Sequence, residues 1–318
     1  MEEIILKNID LLIKKYFSIS KNDKVLILFD KTKYELALIF RFAIIQTNDN
    51  VIISEIDSGS VHGETKISNA AYSMMLDSDI IISLVQYSIA HTKERYNITK
   101  LGKRFVSMPD YSINLLARDC FDLDFNKIVK KQNKLASILQ NSNSVKIKTK
   151  MGTDITFDIS NRVSNNCPGF INKSFLLASP PDFEVNIAIK EDDTNGILVV
   201  DGSIPYNGFG VLSKPIKLEI RNGRVIKCND KKLMELFNKY GEKAKIPAEL
   251  GFGFNYKAKL SGFMLEDEGC YNTFHIGFGS NSTIGGENII KFHLDTIVLN
   301  PSVEISGKLI INEGKHVY

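Results

Sequence analysis

Two histidines and an aspartate near the C-terminus have the types and the spacing of metal ligands. His293 and Asp295 lie two residues apart in FHLD, and residues two apart in a β-strand point to the same face. His275 lies in YNTFHIGFG, a second strand-like segment that ends in glycines. The stretch GSNSTIGGEN between them can turn sharply, because glycine tolerates positive φ, and can return the second strand beside the first. The three side chains are then expected to converge on one point.

Two glutamates in apolar surroundings extend this set of ligands. Glu184 lies in PPDFEVNIAI and Glu249 lies in PAELGFGFN, each among apolar or small residues. An ionised carboxylate in such a setting is costly unless it is paired or bound to a metal. The alternative is that each glutamate faces solvent at a strand edge. Beside the histidines and Asp295 we interpret both as metal ligands, and this donor set suits zinc, cobalt, manganese or iron(II).

The first half of the chain must supply an α/β scaffold. Short apolar runs such as KVLILF and DIIISLV alternate with segments of helical periodicity. The pattern predicts strands at 24–29, 51–56, 79–85 and 104–108, and helices at 4–16, 34–46, 70–76 and 124–139. Buried strands separated by helices indicate a parallel sheet covered on both faces. We therefore expect an N-terminal parallel-sheet α/β domain over residues 1–142.

The second half has the pattern of an antiparallel sheet. Residues 145–159 alternate apolar and polar side chains around Met-Gly-Thr-Asp, and residues 215–228 turn at Asn222 and Gly223. The pattern predicts a third hairpin over residues 308–317 and one helix over residues 231–240. We expect a second, mainly antiparallel β-rich metal-binding domain over residues 143–318, with the linker near 141–145.

Composition narrows the classes of partner and compartment. The 318 residues carry 40 basic and 37 acidic side chains, a net charge of +3 that gives no reason to expect nucleic acid binding. No apolar stretch reaches the roughly 20 residues that a membrane helix needs, and the N-terminus does not read as a signal peptide. The four cysteines are scattered singly, as is typical of a reducing compartment. A cytoplasmic protein without a membrane partner is expected.

Several of these segments together resemble the aminopeptidase T and aminopeptidase S family of metallopeptidases. The resemblance runs from about residue 177 to the C-terminus and rests on PPDFEV, NGILVVDGSI, PAELGFGFN, HIGFG and GGENIIKFHLD, which occur in the family's order. It implies a homodimeric enzyme that binds two divalent ions and removes N-terminal residues from short peptides. The residues that match the family's ligand positions are Glu184, Glu249, His275, His293 and Asp295.

A hydrolytic mechanism follows from that resemblance. Two ions that share Glu184 or Glu249 would lower the pKa of a bridging water and polarise the scissile carbonyl. One glutamate would act as general base, and a metal or an acid such as Asp182 would bind the substrate amine. One departure from the family concerns a tyrosine that those peptidases place a few residues after the first histidine. The corresponding stretch here, GFGSNST, has no tyrosine, so help from a phenol in the transition state is not expected.

The 2,5-dihydroxypyridine dioxygenases share that fold and provide a second resemblance. It implies one iron(II) held by two histidines and one aspartate, which His275, His293 and Asp295 supply. These enzymes have a His-Thr pair in the N-terminal half, and here His91-Thr92 follows the strand predicted to end at residue 85. Loops after parallel strands hold ligands in α/β domains. His91 is therefore predicted to be a general base or substrate ligand that reaches across the domain interface, with a solvent-exposed histidine at a helix start as the alternative.

The sequence therefore allows three interpretations of function. Metal-dependent hydrolysis of peptides or a related small amide is the first, because both glutamates accompany the histidines and Asp295. Ring cleavage of a hydroxypyridine or catechol-like molecule with iron(II) and dioxygen is the alternative. A non-enzymatic relative with a structural metal is the third, although structural sites usually have four ligands and often cysteine. A dinucleotide site is not expected, because GFGF, GFGS and GFGV lack the strand–turn–helix context and G-x-G-x-x-G spacing.

Overall fold

The structure, a computed structural model, describes residues 2–59 and 66–318. The chain folds into two compact units. The first unit consists of Met1–Leu123 and Pro168–Pro181, and the second consists of Asp124–Cys167 and Asp182–Tyr318. No helix of the described ranges is both long enough and apolar enough to cross a membrane. The histidine at position 62 lies outside the described residues.

The first unit is built on a five-stranded parallel sheet. Its strands are β1 (Val25–Phe29), β2 (Val51–Glu55), β3 (Ile80–Val85), β4 (Arg104–Pro109) and β8 (Leu177–Ala178), in the order β2-β1-β3-β4-β8. Its helices are α1 (Glu2–Leu11, continued by a π-helical turn at Leu12–Tyr16), α2 (Tyr34–Ile45), α3 (Asn69–Asp77), α4 (Lys93–Lys100) and α5 (Ile113–Leu116). Every residue of β1 and β3 is buried, as expected of central strands covered on both faces.

The second unit contains two antiparallel sheets. The eight-stranded sheet has the order β14-β13-β10-β6-β5-β18-β19-β20, and the seven-stranded sheet has the order β12-β11-β17-β16-β15-β9-β7. The strands are β5 (Ser144–Lys148), β6 (Asp154–Asp158), β7 (Ser164–Cys167), β9 (Glu184–Ala188), β10 (Asn195–Val200), β11 (Ser203–Ile204), β12 (Gly210–Val211), β13 (Ile216–Arg221), β14 (Arg224–Cys228), β15 (Pro247–Gly253), β16 (Thr273–Gly279), β17 (His293–Leu299), β18 (Ser302–Ile305), β19 (Lys308–Asn312) and β20 (Lys315–His316). The helices are α6 (Phe125–Gln140), α7 (Lys231–Tyr240) and α8 (Met264–Glu268), and short 3-10 turns lie at Lys31–Lys33 in the first unit and Glu242–Lys245 in the second.

This architecture confirms the expected fold class, a parallel-sheet α/β unit followed by a mainly antiparallel unit. The hairpins β5–β6, β13–β14 and β19–β20 are those predicted from the alternating patterns. The boundary between the units differs from the expected 142/143. Helix α6 belongs to the second unit, because it packs on β7 and β9. There Gln132 Nε2 donates to the carbonyls of Cys167 and Glu184, each at 3.0 Å. Residues 168–181 belong to the first unit, because β8 pairs with β4 there.

The seven-stranded sheet carries the predicted metal ligands. Its four adjacent strands β9, β15, β16 and β17 are buried along nearly their whole length. Antiparallel pairing joins β15 to β9 and β16, and joins β16 to β17. The register of these pairs decides which side chains meet.

Candidate metal centre

Strand register places the predicted ligands on one face of the sheet, each beside a glycine. His275 pairs with Gly251, and Gly277 pairs with Glu249 on one side and Asp295 on the other. Directly opposite residues of an antiparallel pair point to the same face. Glu184 and His293 continue the pattern, because their partners are Gly253 and Gly279. Ligand and glycine therefore alternate across the four strands.

The glycines provide the space that the ligand side chains occupy. A Cβ added at Gly251 would lie 2.0 Å from Nε2 of His275. A Cβ added at Gly277 would lie 2.7 Å from Cε1 of His293 and 2.9 Å from Oδ1 of Asp295. Glycine inside a strand often marks such a close approach. The GFGFN and HIGFG segments, which have no dinucleotide-site spacing, thus have a local structural role that their sequence pattern alone does not indicate.

Two groups of three potential ligand atoms result, and they share one glutamate. Glu184, Glu249 and His275 form an inner group in which every residue is buried, and its ligand atoms lie within 4.8 Å of one another. Glu249, His293 and Asp295 form an outer group that meets the same criterion. About 35% of the His293 side chain is exposed, so solvent reaches the outer group. The structure thus brings together all five predicted ligands, but it separates the two histidines of the expected His-His-Asp set into different groups.

Close contacts link the two imidazoles to the carboxylates. Nε2 of His275 lies 3.1 Å from Oε2 of Glu184, an ion-pair distance without hydrogen-bond geometry. Nε2 of His293 lies 3.1 Å from Oδ1 of Asp295 and 3.5 Å from Oε2 of Glu249. Each imidazole therefore directs Nε2 at the carboxylates of its own group, where a metal ion could bind the nitrogen and the carboxylates together.

Hydrogen bonds outside the groups orient two of the ligands. Nδ1 of His293 lies 2.9 Å from the carbonyl oxygen of Ser280. A proton on Nδ1 that donates to this carbonyl leaves the Nε2 lone pair directed at the carboxylates. Oε1 of Glu184 accepts from Asn186 Nδ2 at 2.6 Å, and Asn186 Oδ1 accepts from Asn165 Nδ2 at 3.0 Å. Such outer partners are typical of ligands held for a metal.

Two further buried carboxylates face the groups. Burial, followed by repulsion from neighbouring carboxylates, raises the pKa of Asp182 and of Glu268 well above the ordinary range. One oxygen of each, Oδ1 and Oε1 respectively, is buried without a hydrogen-bond partner among the described residues. The role of Asp182 in binding the substrate amine stays a prediction. Glu268 is absent from the sequence-predicted site, because it lies in an acidic run on a short helix with no spacing that distinguishes it.

The electrostatics of this cluster favour a bound cation. Burial opposes the charged imidazole, but the surrounding carboxylates outweigh it and raise the pKa of His275 to about 9 and of His293 to about 10. Burial raises the pKa of Glu249 to about 7. The pKa of Asp295 falls well below its usual range despite burial, because His293 is beside it. Protons compensate the negative charge here, and a divalent metal ion can replace them.

The donor set also fits a metal by its chemistry. Imidazole and carboxylate ligands suit zinc, manganese, cobalt and iron(II), and Oε2 of Glu184 is a buried acceptor without a hydrogen-bond donor in the described chain. The five residues on the sheet face, Glu184, Glu249, His275, His293 and Asp295, would hold the ion or ions.

The other described histidines have different surroundings. His91 is exposed in the loop after β3, immediately before α4, whose first turn Thr92 caps by accepting from the Arg95 amide at 3.3 Å. Its proposed role as a base stays a prediction.

His316 packs among Phe254, Tyr271 and Tyr318, and burial lowers its pKa to about 4. His316 is therefore a packing residue of an aromatic cluster.

Comparisons with known proteins point to enzymes of one fold. The sequence model of the family described as NicX, 2,5-dihydroxypyridine 5,6-dioxygenase, matches residues 18–318. The structure of 2,5-dihydroxypyridine dioxygenase from Pseudomonas putida KT2440 superposes with a TM-score of 0.81 at 16% identity, covering 98% of this chain and 96% of that one. AmpT from Thermus thermophilus superposes with a TM-score of 0.66 at 11% identity, covering 100% of both chains. No curated protein matches by sequence.

These matches decide between the resemblances at the level of family. Both solved structures share the fold, and identities this low show the fold alone. The sequence motifs favour the peptidase resemblance, but the family match favours the dioxygenase branch. The chain is an enzyme, so the non-enzymatic interpretation is set aside. Because the match extends over nearly the whole sequence, the chain belongs to the 2,5-dihydroxypyridine 5,6-dioxygenase family.

Proposed function

We propose that this enzyme is a non-haem iron(II) dioxygenase that cleaves the ring of a hydroxypyridine or catechol-like small molecule. The observation that carries the proposal is the family match over residues 18–318, combined with a cluster of imidazoles and carboxylates on one sheet face. A ferrous ion with open coordination positions supplies the chemistry with dioxygen when it is bound. The protein supplies the ligands, their orientation and the groups that move protons.

The outer group is the proposed position of the iron. Its members Glu249, His293 and Asp295 include the one ligand with substantial solvent exposure, His293. A catalytic metal needs an accessible position for its substrate. In the inner group the raised pKa of His275 favours an ion pair with Glu184 at 3.1 Å. The same holds for His293 and Asp295 in the outer group, so the proposed position of the iron rests on the solvent access of His293.

The substrate hydroxyl must lose a proton on binding, and we propose His91 as the group that accepts it. His91 is exposed in a loop at the carboxyl end of β3, the edge at which α/β domains hold ligands. Replacement by glutamine is expected to reduce kcat by roughly 100-fold, the lower range for loss of a general base. Unchanged kinetics of H91Q on a turned-over substrate would remove His91 from the mechanism.

Oxygen consumption tests the proposed activity. The protein would be purified without oxygen, loaded with ferrous iron and mixed with hydroxypyridines and catechols in an oxygen electrode. We expect uptake that requires both iron and substrate, and its loss in D295N. The matched control is D154N, because Asp154 is an exposed aspartate on β6 whose carboxylate pairs with Lys148 at 3.2 Å. Absence of uptake across the panel by the iron-loaded protein would reject this function.

A two-metal hydrolase is the second candidate, and one observation favours it. Glu249 belongs to both ligand groups, as a bridging carboxylate would. Two divalent ions would also compensate a cluster that holds five buried carboxylates, including Asp182 and Glu268. In this case zinc, cobalt or manganese would activate a water for attack on a peptide or related amide. Release of N-terminal residues from short peptides, with no oxygen uptake, is the result that would support it.

The oligomeric state and the cellular location of the protein are further proposals. We propose a cytoplasmic homodimer that acts on a small molecule, with neither nucleic acid nor membrane as partner. The peptidase resemblance supports the dimer, and the scattered cysteines support a reducing compartment. Light scattering on the purified protein and fractionation of cells test the two statements separately.

A further inference from the structure

A backbone carbonyl orients the most exposed ligand of the centre. His293 begins β17, and 35% of its side chain is exposed, against 11% or less for the other four ligands. Packing therefore restrains its ring least. Two contacts direct the ring, that of Nδ1 with the carbonyl of Ser280 at 2.9 Å and that of Nε2 with Oδ1 of Asp295 at 3.1 Å. Ser280 also donates its amide to the carbonyl of Phe292 at 2.8 Å, which closes the loop between β16 and β17.

The side chain of Asn281 holds this loop to the neighbouring strands. It is fully buried, and its Nδ2 lies within hydrogen-bond distance of the carbonyls of Ala248 (3.0 Å) and Ile189 (3.3 Å). Ala248 directly precedes Glu249 on β15. The same amide therefore connects the loop that orients His293 to the strand that carries Glu249.

The Asn281 side chain also contacts the rest of the loop between β16 and β17. Oδ1 of Asn281 accepts from the amide of Asn288 at 2.9 Å, and a Cβ at Gly286 would lie 2.0 Å from the Asn281 side chain. Nδ2 also donates to Oε1 of Glu191 at 2.9 Å. Substitution of Asn281 by alanine would remove all of these hydrogen bonds at once and would take from the buried Asn288 amide its acceptor, which destabilises the present path of the loop.

An ion pair between Arg162 and Glu191 also holds the loop in place. Oε2 of Glu191 lies 2.6 Å from Arg162, whose guanidinium also donates to the carbonyl of Gly285 at 2.9 Å. Only 9% of the Arg162 side chain and 17% of the Glu191 side chain are exposed. Oε1 of Glu191 accepts from the amide of Glu287 at 2.8 Å as well. The loop is thus a polar network with Asn281 at its centre.

We propose that Asn281 is a positioning residue of the metal centre. By fixing the loop it places the Ser280 carbonyl against Nδ1, and so it sets both the tautomer and the ring orientation of His293. The inference rests on the metal centre of the proposed function, but not on the reaction that the centre performs. Loss of an outer partner of a metal-binding histidine typically weakens metal affinity by 10–100-fold.

Cobalt(II) affinity of the folded protein is the direct test. N281A and the wild type would be titrated with cobalt(II) against a competing chelator, and thermal unfolding of the metal-free forms would be recorded in parallel. We expect N281A to bind cobalt(II) roughly 10–100-fold more weakly. A purely structural role would lower Tm and leave the affinity of the folded fraction unchanged, so that result would overturn the proposal.

Two controls separate positioning from general loss of stability. Asn48 is also buried and uses Nδ2 to bridge the carbonyls of Ser20 and Asp23, in the first unit. N48A is expected to lose stability without a change in cobalt affinity. T153A is also expected to keep wild-type affinity, because the buried Thr153 donates its hydroxyl to the Val199 carbonyl at 3.2 Å within the eight-stranded sheet. An equal loss of affinity in N48A and N281A would contradict the proposal.

A milder variant keeps the test decisive if N281A does not fold. E191Q retains an acceptor oxygen for Asn281 but removes the charge that pairs with Arg162. We expect a several-fold loss of cobalt affinity in E191Q, smaller than in N281A and in the same direction. Wild-type affinity in E191Q, with the loop network weakened, would refute the role of this network. Peptidase or dioxygenase activity does not enter either measurement, so failure of the proposed function would not be confused with failure of this inference.

Discussion

Substitution of Gly251 by alanine tests whether the strand glycines create the ligand cluster. The added Cβ would lie 2.0 Å from Nε2 and 2.2 Å from Cε1 of His275. The ring must retreat by roughly 1.5 Å to restore an ordinary contact of about 3.5 Å. Since His275 is only 1% exposed, it cannot move without displacing its neighbours. We expect overpacking to lower the free energy of unfolding of the metal-free protein by roughly 1–3 kcal/mol.

Gly277 provides a comparison with a different expected result. Its added Cβ would approach Cε1 of His293 at 2.7 Å and Oδ1 of Asp295 at 2.9 Å. The His293 ring is partly exposed and can move outwards, so the loss of stability is expected to be smaller than in G251A. Metal–ligand distances are expected to lie within about 0.2 Å of their usual values, and the displaced ring and carboxylate would no longer meet that requirement together. If the outer group holds the iron, G277A loses iron affinity more severely than G251A does.

Urea unfolding of the metal-free proteins and anaerobic titration with ferrous iron measure the two effects. G307A is the matched control, because no heavy atom of the described chain lies within 4 Å of its added Cβ. Its positive φ of 81° makes alanine cost about 1–2 kcal/mol through the backbone alone. G307A should keep wild-type iron affinity. If G251A proves no less stable than wild type and both strand variants bind iron normally, the reasoning is refuted.

Three further outcomes follow from the centre. Below pH 6.5 the charged imidazoles of His275 and His293 stabilise the metal-free protein. This stabilisation should disappear as the pH rises through their raised pKa values of about 9 and 10, and Tm measurements across that range would detect the loss. Because metal ions compete with these protons, the increase in Tm on adding metal should grow with pH, and a constant increase would speak against the histidines as ligands. D295N should weaken metal binding by at least about 100-fold while D154N binds like wild type, as isothermal titration would measure.

Much of the fold could be predicted because it follows from local patterns. Continuous apolar runs indicated β1 and β3, and alternation around turn residues indicated the hairpins β5–β6 and β13–β14. Helix α7 has the predicted bounds, since Asp230 caps it and Gly241 ends it. The unit boundary could not be predicted, because it depends on where α6 packs and on the return of β8 to the first sheet. Both are long-range contacts without a local signal.

The approach of the five candidate ligand side chains to one another was predictable, but their grouping was not. The sequence places His293 and Asp295 on one strand face, and chemistry suggests a metal. Which carboxylate joins which imidazole depends on the register of four strands, and this register assigns Glu249 to both groups. The roles of Gly251 and Gly277 likewise appear only when the facing strand is known. Glycine in a strand indicates a close approach, but not what approaches.

Metal content per chain, measured on protein purified anaerobically from cells grown with mixed trace metals, tests the central claim most directly. The proposed iron dioxygenase should contain about one ferrous ion per chain at saturation, held by the outer group of Glu249, His293 and Asp295. About two tightly bound zinc, cobalt or manganese ions per chain would contradict it. That result would make both ligand groups true metal sites and would favour the two-metal hydrolase.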